Sequence, residues 1–136
     1  FAGCAAAFKE YDPNIQCYLV EPEGAAVLAG RPVGDPNHRI QGGGYSIPEL
    51  EMLNEDHIDG YLTVADEEAI AICRRLAREE GIFAGFSSGA NVASAMQLLN
   101  GPCRGATIAV LICDSGLKYL STDLWEQPNY RGIPSG

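Results

Sequence analysis

Ile82-Phe83-Ala84-Gly85-Phe86-Ser87-Ser88-Gly89-Ala90, followed after one helix length by Ala106-Thr107-Ile108-Ala109-Val110-Leu111-Ile112-Cys113, is the stretch on which the fold turns. Residues 82–86 suit a buried strand, Ser87-Ser88-Gly89 a tight turn, and the small-residue run 90–99 a helix that stops at Asn100-Gly101-Pro102. The run 106–113 shows no polar alternation, so it reads as a strand covered on both faces, the habit of parallel sheets.

Working outward, the same alternation continues towards the start of the chain. Residues 61–64 read as a strand, and the helix that follows carries Asp66, Glu67 and Glu68 in its first turn and Arg74, Arg75 and Arg78 near its other end. Both charge biases complement the helix dipole, and Gly81 closes the element. Further back, 15–20 is a brief apolar strand and 1–10 an Ala-rich helix stopped by Tyr11-Asp12-Pro13-Asn14. Strands alternating with helices predict an α/β fold with right-handed crossovers and a twisted parallel sheet. The 136 residues, 46% of them hydrophobic, suffice for one core, so 1–136 is read as a single domain.

Bulk properties narrow the function classes. A net charge of -9 opposes binding to nucleic acid or to an anionic membrane surface. The longest apolar runs fall well short of the roughly 20 residues of a membrane span. Five scattered cysteines form neither a Cys-x-x-Cys pair nor a metal-ligand cluster, and are expected to be reduced and mostly buried thiols. His38 and His57 lie apart in polar loops and are assigned no metal and no catalytic role.

In open α/β sheets ligands bind beyond the carboxyl ends of the strands, where loops meet helix starts. Two segments take that position: Gly85 to Gly89, which presents hydroxyls on a glycine-flanked turn, and Cys113-Asp114-Ser115-Gly116 after the last strand. Taken locally, a serine at a helix start is most often a cap; Ser88 suits that role and leaves Ser87 free. Asp114 and Ser115 are ordinary turn formers as well. The Gly42-Gly43-Gly44 run could hold an anion with its amides, though no helix follows it and a loop is the simpler reading.

Four ordered segments resemble one family: VEPEGAAVLAG at 20–30, HRIQGGGYSIPEL at 38–50, DEEAIAICRRLAREEGIFAGFSSGA at 66–90 and DSGLKYLSTDLW at 114–125. They are similar to cysteine synthase and its cystathionine β-synthase relatives, enzymes of fold-type II that use pyridoxal 5'-phosphate. The resemblance implies a three-layer α/β sandwich with a twisted, mostly parallel sheet, the carboxy-terminal portion of the large domain of a two-domain enzyme.

It also implies site roles. Ser87 would stand beside the pyridine nitrogen, Asp114 in the loop beneath the ring, and Gly42 in the segment lining the active-site mouth. No catalytic residue is expected in this chain, because the family's Schiff-base lysine precedes the point that matches Phe1, and Lys9 and Lys118 read as ordinary surface lysines. The loop after Gln41 is one residue shorter than the common pattern, and Cys113 stands where many relatives carry proline.

The expected activity of the parent enzyme is β-replacement on an activated serine such as O-acetylserine, with sulfide as nucleophile and cysteine as product. Alternatives are a cystathionine β-synthase or diaminopropionate-forming relative, or a binding module without chemistry. The expected partners are a missing amino-terminal portion or separate chain, a second copy in a homodimer and a small amino-acid substrate, in the cytoplasm.

Overall fold

The computed structural model describes residues 1–41 and 46–126. Gly42, expected to line the site's mouth, lies outside the described residues. Helix α1, Ala2–Tyr11, presents Ala5 to the interior. Strand β1, Tyr18–Pro22, pairs in parallel with β2, Gly60–Val64, in the register Tyr18 to Gly60 and Pro22 to Val64. Among the described residues, the connection between them carries only the 3-10 turns Glu23–Ala25 and Glu55–His57 and is otherwise loop, as its Gly- and Pro-rich sequence implies.

Helix α2, Asp66–Arg75, follows β2 directly and runs on into a π-helical turn, Leu76–Glu80. Gly81 ends it at φ 69°, the left-handed position where glycine costs nothing. Helix α3, Phe86–Asn100, packs against α2 and is followed by 3-10 turns at Gly116–Tyr119 and Asp123–Trp125.

Two corrections to the sequence reading concern strands. Residues 82–86 and 106–113 join no ladder: among the described residues the sheet has only β1 and β2, and the first segment makes one isolated antiparallel bridge, Ala84 with Ser115, to the turn that follows the second. Apolarity makes a segment fit to be a strand, but a ladder also needs a neighbour's N–H and C=O groups. Here Val110, Leu111 and Ile112 are 39%, 71% and 40% exposed, an apolar edge without cover among the described residues. Helix α3 also starts at Phe86 rather than near Ala90, which draws Ser87 and Ser88 into its first turn.

Two apolar clusters hold the unit together. Ile40, Val64, Ala69, Ile72, Ala90 and Ala93 form the first, between β2, α2 and α3. Ile70, Cys73, Phe86, Tyr119 and Leu124 form the second, which docks the final turns on α2 and α3. Phe86 meets Tyr119 edge-on at 5.2 Å, and Arg74 donates to the carbonyls of Leu124 and Asp123, both at 2.7 Å, fastening the tail.

The alkaline limit of stability follows from this second cluster. Burial first, helped by the charge of Asp114, pushes the Cys73 thiol up to about 11. Burial, then the hydrogen bond to Asp114, pushes the Tyr119 phenol up to about 12. Both groups are neutral when folded, so their stabilisation is whole below the unfolded values of 9.0 and 10.0 and is lost as pH rises through 11 and 12. Each contributes on the order of 2 kcal/mol. Urea midpoints measured from about pH 8 to pH 11 should fall steadily, less so in Tyr119→Phe; a flat profile would contradict the burial of both groups.

Candidate functional site

The carboxyl end of β1, the loop residues Ile40 and Gln41, the start of α3 and residues of the segment 113–119 surround one cleft of about 390 Å³. That volume suits a small organic molecule. Its polar groups arrive from four separate places in the chain: Glu21, Gln41, Ser87, Asn91, Asp114 and Lys118.

Glu21, the last residue but one of β1, is only 3% exposed. Its two oxygens accept from the amides of Leu28 at 3.0 Å and Ala29 at 2.9 Å. A buried acid is tolerable when both oxygens are so satisfied, and the effect here is to fold the loop back over the end of β1. Glu21 drew no functional reading from the sequence, although an acid closing an apolar strand was a signal.

Ser87 lies in the first turn of α3 and its Oγ donates to the carbonyl of Gln41 at 2.7 Å. The expectation of a free Ser87 beside a capping Ser88 is therefore corrected. Gly85 occupies the N-cap without a side-chain bond, and Ser88, fully buried, accepts from the amide of Cys113 at 3.0 Å. Asn91 donates to the carbonyl of Leu111 at 2.8 Å. The helix start thus grips 111–113 with two side chains, which brings Asp114 to the cleft beside Ser87.

Asp114 accepts from the Tyr119 hydroxyl at 2.7 Å, and its same oxygen lies 3.6 Å from the Lys118 ammonium. Its other oxygen, Oδ1, is buried and has no hydrogen-bond partner among the described residues. Burial, then the charge of Asp114, raises the Cys113 thiol, which keeps it protonated near neutrality.

Lys118, its side chain 68% exposed, is a surface lysine that stands at the rim of the cleft. Lys9 is not ordinary: only 16% exposed, it pairs with Asp59 at 2.7 Å and, with the Cys17 amide, holds that carboxyl below its usual range. Neither ammonium is a free amine. The five cysteines are all unpaired, with Cys17 and Cys73 buried, Cys103 half-buried and Cys4 and Cys113 exposed, so fewer thiols are buried than expected. No cluster of metal-ligand type exists among the described residues, and none of their helices is long and apolar enough to cross a membrane.

A pyridine ring is compatible with this arrangement. Its nitrogen needs a donor when neutral and an acceptor when protonated; a serine hydroxyl can serve as either, and the unpartnered Asp114 Oδ1 is a further acceptor in the same wall.

Residues 1–114 match the family described as pyridoxal-phosphate dependent enzyme. The chain is 40% identical over 126 residues to the probable cysteine synthase of Bacillus subtilis strain 168, covering 90% of this chain and 39% of that protein. Among solved structures, cysteine synthase from Entamoeba histolytica superposes with a TM-score of 0.83 at 31% identity, over 93% of this chain and 37% of that one. The O-acetylserine dependent cystathionine β-synthase from Helicobacter pylori superposes with a TM-score of 0.69 at 36% identity, over 92% and 40%. The chain thus spans about two fifths of the length of the curated relatives it matches.

Proposed function

The chain belongs to the pyridoxal-phosphate dependent enzyme family, and from that premise we propose that the protein carrying it is a β-replacement enzyme that makes cysteine from an activated serine and sulfide. The α/β fold and the family's cofactor, pyridoxal 5'-phosphate, come with membership. The observation that carries the reading is a hydroxyl, Ser87, at the helix start that faces the cleft. When bound, the cofactor supplies an electron sink for charge that develops beside the α-carbon of an amino acid. A hydroxyl partner cannot hold a ring nitrogen protonated as a carboxylate would, so Ser87 tunes that sink towards elimination and addition at the β-carbon.

The remaining residues position the site. Glu21 holds the loop that delivers Ile40 and Gln41, Asn91 and Ser88 hold the segment leading to Asp114, and Tyr119 orients the Asp114 carboxylate. The amine that anchors the cofactor lies outside these 136 residues, since Lys9 and Lys118 are both ion-paired. The chain is one α/β unit of a two-domain enzyme. Polypeptide from the rest of that enzyme covers the apolar edge at Val110, Leu111 and Ile112 and supplies the missing ladder partners. The working enzyme is a cytoplasmic homodimer acting on a small amino acid.

A second reading is favoured by the likeness to the Helicobacter enzyme: cystathionine formation, with a thiol amino acid replacing sulfide. One assay separates the two. The full-length protein, loaded with pyridoxal phosphate, is given O-acetylserine with sulfide or with homocysteine, and cysteine is expected to form faster. Faster cystathionine formation would select the second reading, and no visible absorbance after loading would defeat both.

A further inference from the structure

A serine hydroxyl has one proton to give and two lone pairs to offer. In Ser87 that proton is already committed, to the Gln41 carbonyl at 2.7 Å. The acceptor is held firmly. Ile40, its neighbour, is 5% exposed in the first core cluster, and the Arg39 amide donates to Asp66 at 2.7 Å. The Arg39 guanidinium pairs with Asp123, whose own carbonyl is fastened by Arg74. Main chain on the near side of Gln41 is thus pinned to the start of α2 and to the final turn.

A neutral pyridine nitrogen only accepts, so Ser87 can hold it only by turning its proton away from Gln41. We propose that Ser87 is a two-position donor, with the Gln41 carbonyl as its acceptor in the cofactor-free protein and the ring nitrogen as its acceptor in the loaded one. Gln41 is then a positioning residue acting through Ser87. It keeps the hydroxyl in place until the ring arrives, and filling the ring end leaves the Gln41 carbonyl without its side-chain donor. The main chain at Gln41 is in this way coupled to the occupancy of the cleft. This inference rests on the functional reading above, in which Ser87 faces the ring.

The test is infrared difference spectroscopy on the full-length protein labelled with 13C at the glutamine backbone carbonyls, compared with and without pyridoxal phosphate. Gln41→Met removes the label from this position and so identifies its band. Loading should move that band to higher frequency, as expected for a carbonyl that loses a donor. In Ser87→Ala the band should already lie at the higher frequency without cofactor. A band that stays in place while visible absorbance shows the cofactor bound would overturn the inference, since Ser87 would then still donate to Gln41. Absence of that absorbance would instead overturn the functional reading, and the inference with it.

Discussion

Gly89→Ala is expected to lower the stability of the protein by about 2–3 kcal/mol, towards the upper part of the range for overpacking a tight interior. On helix propensity alone the change should help by about 1 kcal/mol. The tertiary contact reverses the sign. A methyl group at Gly89 in α3 would sit inside the carbonyl oxygen of Ala69 and 2.5 Å from the Cys73 sulfur of α2. The obstacle includes backbone, and the Cys73 thiol is itself tied to the Gly85 carbonyl at 3.1 Å, so neither neighbour can step aside cheaply. Separation of the two helices would loosen Ile72 and Ala90 in the first cluster and Phe86 in the second. Gly3→Ala in α1 is the control, since none of the described residues lies within 4 Å of the added methyl; it should raise stability by up to about 1 kcal/mol. Urea denaturation of both variants measures the contrast, and equal shifts would refute a packing origin.

Gly85→Ala should injure the site as well as the fold. The backbone there, at φ -87° and ψ 179°, is open to any residue, so only space is at issue. An added methyl would overlap the Tyr119 ring and Asp114 Oδ1. Both would have to leave the cleft wall, which disturbs the hydroxyl-to-carboxylate bond between them and the edge-on contact with Phe86. A loss of about 1–3 kcal/mol in stability is expected. Cofactor affinity should fall tenfold or more, since misplacing the site by 1.4 kcal/mol already does that. Titration with pyridoxal phosphate followed by visible absorbance gives the second number; unaltered affinity would mean that Tyr119 and Asp114 take no part in shaping the ring's pocket.

Much of the element structure is local and was readable. Helix α1 ends where Asp12-Pro13 ends it, α2 begins on its acidic first turn, and Gly81 closes the turn after α2 in the left-handed conformation. Such features depend on near neighbours in sequence, which is why spacing and caps reveal them. The two apolar segments at 82–86 and 106–113 were misread as ladder strands because apolarity reports burial, whereas a ladder depends on which chain lies alongside. Of the site, the sequence singled out Ser87 and Asp114, and the structure places both on one cleft. It did not point to Gln41, whose part is played by a backbone carbonyl that every residue possesses, nor to Tyr119, whose role comes from reaching Asp114 across a turn.

The sequence by itself determined the order of helices and turns, the acidic balance, and a family likeness carried by motifs, because all of these reside in residue identity and short-range spacing. Only the tertiary structure decided that Ser88 is buried and holds Cys113, that Ser87 gives its proton to Gln41, and that Lys118 meets Asp114 at the cleft. Those outcomes depend on which groups approach within about 3–4 Å after the chain has packed, and hydrogen bonds and ion pairs exist only at that range.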